Sequence, residues 1–244
     1  MFYIRGIFGI AIFALLSAGE SEIPVTICKR DSNDYNACSK HALEEAWPLF
    51  VKVGLPEFNF PSADPLFFKD TNVVLNSGEI SIEVIFSNLS VIGISDTQFF
   101  DVRTHFLNKV FHYEMDVLVP SLFVEGIAKV NGSINIFRVA DEGHLNATLN
   151  DIRTTCNLTG HVVNDTWIVE HFRINPSLGN LKIHVTTTIE ENKQLNNIVL
   201  NFINEFWPSI FRVILPFLSN KLDPWATDYV NLFFSKVPFS KIFP

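Results

Sequence analysis

The chain lacks the constellations on which common catalytic centres are built. It has no Gly-x-Ser-x-Gly elbow, no His-Glu-x-x-His pair, no glycine-rich phosphate loop and no Cys-x-x-Cys, so serine hydrolysis, zinc peptidase chemistry, nucleotide binding and dithiol exchange are without their usual residues. No Gly-, Ser- or Pro-rich linker, charge block or low-complexity tract divides it, which implies one domain over residues 20–244. No basic cluster interrupts a net charge of −8. Nucleic acid and anionic bilayers are therefore poor partners.

The seven histidines are scattered. His112 and His144 fall on the polar faces of predicted strands, as do Glu114 and Asp116, where they solubilise rather than catalyse. The reading is of a non-enzyme that needs neither metal nor cofactor.

What the chain has in quantity is apolar surface, including 24 Phe. Such a load suits a large or hollow interior. Residues 1–19 carry one basic residue, Arg5, then the apolar run Gly6 to Leu16 and small residues Ser17 to Gly19. This pattern predicts a cleaved secretory signal, with a retained anchor as the alternative, because the run is shorter than the ~20 residues a spanning helix needs. Five sequons follow, at Asn88, Asn131, Asn146, Asn157 and Asn164, and fit a secreted glycoprotein. In an oxidising compartment Cys28 and Cys38, close in sequence, are expected to pair and to tie the N-terminal segment to the helix after it. Cys156 is left over, on the inward face of a strand, as a buried thiol.

The stretch from Gln194 to Leu222 has the apolar spacing of a helix roughly 42 Å long at about 1.5 Å per residue. Its apolar residues span an arc of roughly 220° at about 100° per step, far more than one docking face requires. The remaining stripe, with Asn197, Asn201, Asn204, Glu205, Ser209, Arg212 and Ser219 beside Pro208 and Pro216, is expected to meet water. Glu205 and Arg212 interrupt every run long enough to cross a bilayer, so stable membrane insertion is not expected. A short final helix is predicted with Asp223 as N-cap and Pro224 at its first position. An earlier helix is predicted from Ala37 to Val53, strained by Pro48 and capped by Gly54, followed by a stiff extended crossing from Gly54 to Leu66.

Period-two alternation predicts strands around Ile80 to Phe86, Val110 to Val119, Leu122 to Val130, Ile134 to Val139, His144 to Leu149, Trp167 to Arg173 and Leu181 to Thr187. Asn76-Ser77-Gly78, Asn131-Gly132, Glu142-Gly143 and Asn164-Asp165 read as the turns of an antiparallel meander. A one-sided sheet needs cover for its dry face, and the long helix needs a wide partner. The class is α+β.

Several segments resemble the insect takeout and juvenile-hormone-binding protein family. They are the paired cysteines behind the signal, Gly54-Leu55-Pro56-Glu57 running into Pro61-Ser62-Ala63-Asp64-Pro65-Leu66, and Pro120 with Gly126 and Gly132. Gly143 to Leu149, Asn204-Glu205-Phe206-Trp207 and Lys236-Val237-Pro238 continue the likeness. Hormone carriers of that family usually hold a second disulfide, which Cys156 alone cannot form, so the resemblance is to the takeout-like branch. It implies a long kinked C-terminal helix wrapped by a strongly curved antiparallel sheet, a TULIP-like super-roll enclosing an apolar tunnel. It also implies a monomeric carrier of a lipophilic small molecule, with no protein receptor assigned. The candidate lining residues are Trp47, Phe50 and Val51 from the first helix, Tyr113, Met115 and Val117 from the clearest strand, and Trp207, Phe211 and Ile214 from the long helix. Tyr113 is singled out because an inward hydroxyl needs a partner that a ligand oxygen can supply. The rival function is a secreted protein acting through protein or lipid-surface contacts, its interior being merely core.

Overall fold

The structure is a computed structural model and describes residues 25–187 and 193–244. The segment read as a signal, residues 1–19, lies outside the described residues.

The Cys28–Cys38 disulfide is present, with Cα atoms 5.9 Å apart, and closes a loop that leads directly into α1 (Tyr35–Pro48). Pro48 has no N–H to donate and its ring crowds the carbonyl one turn back. The α-helix ends there and widens into a π turn over Leu49–Val53. Gly54, at φ 71°, closes that turn as the expected cap, its N–H bonded to the Leu49 carbonyl. The segment after it is more compact than the extended crossing predicted: Leu55 and Phe60 pair across a 3-10 turn at Pro56–Phe58. Prolines that forbid a central strand still permit a tight turn.

Seven antiparallel strands form one sheet: β1 (Leu66–Ser77), β2 (Ile80–Ile92), β3 (Gln98–Leu107), β4 (Val110–Ile134), β5 (Phe137–Val163), β6 (Thr166–Ile174) and β7 (Asn180–Thr187). β4 and β5, of 25 and 27 residues, each carry roughly 80–90 Å of chain at about 3.3 Å per residue. They pair along their whole length. The sheet hangs on that pair.

Two predicted turns lie inside these strands. Asn131-Gly132 belongs to β4 and Glu142-Gly143 to β5. The glycines serve close approach instead: a Cβ on Gly132 would sit 2.1 Å from the Ser81 carbonyl oxygen, and one on Gly143 would sit 2.5 Å from that of Thr186. The turns are made at Gly78-Glu79, Asn108-Lys109, Asn135-Ile136 and Asn164-Asp165, each opening on a residue at positive φ, as the right-handed strand twist favours.

Near the middle of the β4–β5 ladder the sheet changes its inner face. Before Pro120 the buried residues of β4 are Phe111, Met115 and Val117; after it, Ala128 is buried and Val124 half-buried beside it. On β5 the inner set changes from Leu145, Ala147 and Leu149 to Ile152, Cys156 and Leu158. Pairing does not slip, since Val119 faces Ile152 and Ser121 faces Asn150. Pro120 has no N–H for the ladder, and Asp151 opposite it sits at φ 52°. The two irregular residues absorb half a pleat on each strand at once. The neighbours change at the same level. β2 leaves β4 at Phe123 and β3 takes over from Leu118; β7 leaves β5 at Asn150 and β6 begins at Cys156.

α2 (Lys193–Phe234) runs for 42 residues past Pro208, Pro216 and Pro224, roughly 63 Å at about 1.5 Å per residue. The predicted break at Asp223 does not occur. Its carboxylate accepts a bond from the Phe172 N–H at 2.7 Å and meets His171 Nδ1 at 3.0 Å, so it ties the helix to β6 rather than capping a new one. The short final helix is instead α3 (Phe239–Ile242). The curled sheet with a long helix along it is the α+β class predicted.

Candidate ligand-binding site

Strands β6 and β7 leave edge N–H and C=O groups that must find partners. α2 supplies them with amide side chains. Asn204 accepts from the Ile183 N–H and donates to the Ile183 carbonyl, both at 2.7 Å. Asn231 does the same to Val169, at 3.0 and 2.8 Å, and Asn196 donates to the Val185 carbonyl at 3.0 Å. Part of the stripe expected to meet water therefore meets the sheet: Asn204 and Ser219, which reaches the Ile174 carbonyl. Asn197, Asn201, Glu205, Ser209 and Arg212 remain exposed. An asparagine satisfies a bare sheet edge as readily as it satisfies solvent.

These anchors fix the roll of the helix. At about 100° per residue, the exposed polar residues lie on one flank of the contact row and Val199, Phe202, Phe206, Val213 and Phe217 on the other. That apolar flank is accessible, with Phe202 at 56%, Phe206 at 47% and Val213 at 55% exposure. Both flanks are accessible, and the inner face of the sheet beside β7 is apolar as well. There Ala128, Leu145 and Ala147 are surrounded by Phe86, Leu89, Val124, Leu149, Ile183 and Val185. The helix packs mainly on β6 and β7 and leaves the apolar flank of this half of the molecule, called the trough below, uncovered.

The other half is closed. Trp167, 1% exposed, is packed by Phe111, Phe234 and Phe243 with ring centroids 4.6–5.8 Å away. α3 plugs this end. Its start is fastened by Asp165, whose backbone carbonyl accepts from Phe239 N–H at 2.6 Å and whose carboxylate takes the Ser240 N–H and hydroxyl at 2.8 and 2.6 Å. Its far end is held by Arg30, which donates to the Pro244 carbonyl from its backbone N–H at 3.0 Å and from Nε at 3.3 Å.

The nine candidate lining residues do not form one group. Met115, Val117, Tyr113 and Trp47 meet in the closed-end cluster, Trp47 also donating to the Ile94 carbonyl at 3.0 Å. Phe50 packs with Phe60 and Phe233 in a separate cluster under the crossing. Val51 is buried, and its carbonyl accepts from Ala63 and Asp64. Trp207, Phe211 and Ile214 are half-buried on α2. The trough wall of Phe202, Phe206, Val213 and Phe217 was present in the wide apolar arc. Only the bond partners of Asn196 and Asn204 select that flank of it.

Tyr113 is half-buried and packs against Trp167 and Phe243. Burial, and then nearby Tyr35, push its pKa up. Burial also pushes the Cys156 thiol to about 12, which makes it inert at physiological pH. On the outer face Arg103 gathers Asp116 at 2.6 Å, Asp101 at 2.5 Å and Glu114 at 3.2 Å. These carboxylates are neutralised in a surface network. No group of three metal-ligating side chains occurs among the described residues. A second concavity of about 1240 Å³ lies between the disulfide loop and β3. Lys29, Arg30, Asp31, Asp34, Lys40 and Asp101 give it a charged mouth, with Tyr35 and Phe111 inside.

The chain matches the sequence model for haemolymph juvenile hormone binding proteins over residues 8–244. Among solved structures it is similar to Takeout 1 of Epiphyas postvittana, with a TM-score of 0.74 at 19% identity, over 90% of this chain and 99% of that one. At this identity the likeness speaks for the fold. Lipopolysaccharide binding protein gives a TM-score of 0.28 at 12% identity, over 66% of this chain and 35% of that one, and carries no argument. No curated protein matches the sequence.

Proposed function

The chain belongs to the haemolymph juvenile hormone binding protein family, and from that premise we propose that it is a secreted, monomeric carrier of a lipophilic small molecule. The observation that carries this reading is apolar surface left uncovered on α2 together with an apolar inner face of the sheet beside β7. The ligand lies along that trough, its affinity set by area removed from water at about 25 cal/mol per Å². Trp207, Phe211 and Ile214 form the floor where helix meets sheet. Tyr113, Met115, Val117 and Trp47 close the inner end, with Phe50 and Val51 supporting α1 from behind. The family is one of binding proteins, and the chemistry is burial with no bond made or broken.

Secretion agrees with the buried disulfide and with exposed sequon residues at Asn88, Asn131 and Asn164. Asn146 is half-buried, and Asn157 gives its amide N–H to Glu114 at 3.2 Å. Glycopeptide mapping of protein from insect cells is expected to find glycan on the first three and Asn157 bare.

Native mass spectrometry of the deglycosylated mature protein tests the carrier reading. A reproducible co-purifying mass that is lost on denaturation is the expected result. No such mass, together with no binding of any lipophilic probe, would refute it. One observation favours the rival and departs from the expectation drawn from Glu205 and Arg212: by length and composition alone α2 is long and apolar enough to cross a membrane, and few of its residues are buried. Flotation of the ligand-loaded protein with neutral vesicles would show that α2 meets a lipid surface instead.

A further inference from the structure

The outer face of the closed end carries two histidines that face one another. His105 on β3 and His112 on β4 stand directly opposite across the ladder, and their rings stack with centroids 4.5 Å apart and planes 7° apart. His41, His161 and His171 each meet a carboxylate, that of Glu45, Glu170 and Asp223 in turn. The imidazoles of His105 and His112 make no hydrogen bond or ion pair among the described residues. His105 is exposed and His112 half-buried, so solvent reaches both.

Burial, and then the neighbouring His105, hold the pKa of His112 below its ordinary value, although Glu114 pulls the other way. At neutral pH the pair is thus uncharged, and each ring keeps a nitrogen lone pair, the commonest metal donor in proteins. Directly opposed residues have Cβ atoms about 4.5–5.5 Å apart. Small rotations of the two rings then bring one nitrogen of each to about 2.0–2.1 Å from a shared ion. The ladder holds both backbones in place, so the second bond is made within the molecule and costs little entropy. Two cations of this region do not oppose a third. Arg103 is held by Asp101, Asp116 and Glu114, and Arg30 is committed to the Phe106 and Phe239 rings and the Pro244 carbonyl. Imidazole donors select transition metals, whereas Ca²⁺ and Mg²⁺ seek oxygen.

We propose that His105 and His112 form an open two-histidine site for a divalent transition-metal ion, Zn²⁺ or Cu²⁺, with water in the remaining positions. The ion joins β3 to β4 on the face turned away from the apolar interior. It clips the strand on which α1 packs.

The test is calorimetric titration of the full mature protein, free of any affinity tag, with Zn²⁺ at neutral pH. His105→Gln and His112→Gln are each expected to weaken binding roughly a hundredfold, because either one removes the chelate. His144→Gln, on the other half of the sheet, is expected to change nothing. A loss smaller than about threefold in either variant would show an adventitious ion only and overturn the proposal, as would an equal loss in His144→Gln. A readout on the unsubstituted protein guards against variants that do not fold. The electron paramagnetic resonance spectrum with one equivalent of Cu²⁺ is expected to show splitting from two imidazole nitrogens, and splitting from one or none overturns the proposal. The thermal midpoint is expected to rise with Zn²⁺ in the unsubstituted protein alone; the same rise in both variants overturns it as well.

Discussion

The two ends of the molecule are built from the same pair of strands and are stabilised in different ways. At the closed end aromatic rings fill the concavity, and each loose segment is tied by side chains: α3 by Asp165 and Ser240, the C-terminus by Arg30, α2 by Asp223 and Asn231. At the open end α2 is hooked to β7 through Asn196 and Asn204, while its phenylalanines keep about half their surface. One end is a core and the other leaves apolar surface uncovered. Phenylalanine serves at both, so it is packing, not residue type, that separates the two ends.

Substitution of large aromatics at the two ends separates them most sharply. Trp167→Ala is expected to cost about 3–5 kcal/mol of stability through the cavity it leaves, measured by chemical denaturation. Phe206→Ala is expected to change stability by less than about 1 kcal/mol yet to weaken ligand binding about tenfold through lost apolar contact. Equal destabilisation by both would mean that the trough is ordinary core. Next in size, replacing Cys28 and Cys38 by serine is expected to cost roughly 2–3 kcal/mol in the chain-entropy model, with the thermal midpoint lowered and lipophilic probe binding retained at temperatures where the fold persists. Asn204→Ala leaves the Ile183 N–H and carbonyl unpaired, and about 1–2 kcal/mol of local stability is expected to go. Hydrogen exchange should then quicken at Ile183 while the Val169 amide, held by Asn231, stays protected.

The smallest effect is acid-linked and falls on the closed end. Burial raises the pKa of Asp64, but bonds from the Ser95 side chain and from the Ser95 and Gly93 N–H groups outweigh it and leave the pKa below 3.8. Asp223 is likewise raised by burial but held lower by the Phe172 N–H and by His171. Asp116 is lowered first by its bond to Arg103 and then by Thr155. Each folded pKa lies below its unfolded value, so the stabilisation is complete above about pH 4 and is lost as pH falls through the folded values. Amide protection at Gly93, Ser95 and Phe172 is expected to fall more than at Ile183 when pH drops from about 5 to 3. A uniform fall would erase the distinction between the ends.

Much of this architecture is legible in the residues. The alternation of Val110 to Val119 and the length of the apolar run from Gln194 follow from side-chain period alone, and the Gly54 cap follows from chain stereochemistry. What stays hidden depends on partners distant in sequence. Asn131-Gly132 has the local signature of a turn, and only the approach of Ser81 makes it a strand. Asp223-Pro224 has the signature of a helix start, and only the Phe172 N–H claims that carboxylate for another purpose. The site splits in the same way: Tyr113 stands out as an inward hydroxyl, whereas the trough wall on α2 is decided by edge groups on β7.

The change of inner face at Pro120 and Asp151 has a consequence for how such a protein can vary. β4 and β5 share one hydrogen-bond register but carry two reading frames of inward residues, in phase opposition. A change of bulk in one frame need not propagate into the other, because the hinge resets the count between them. The packed end and the open end can thus be reshaped separately, on a single pair of strands.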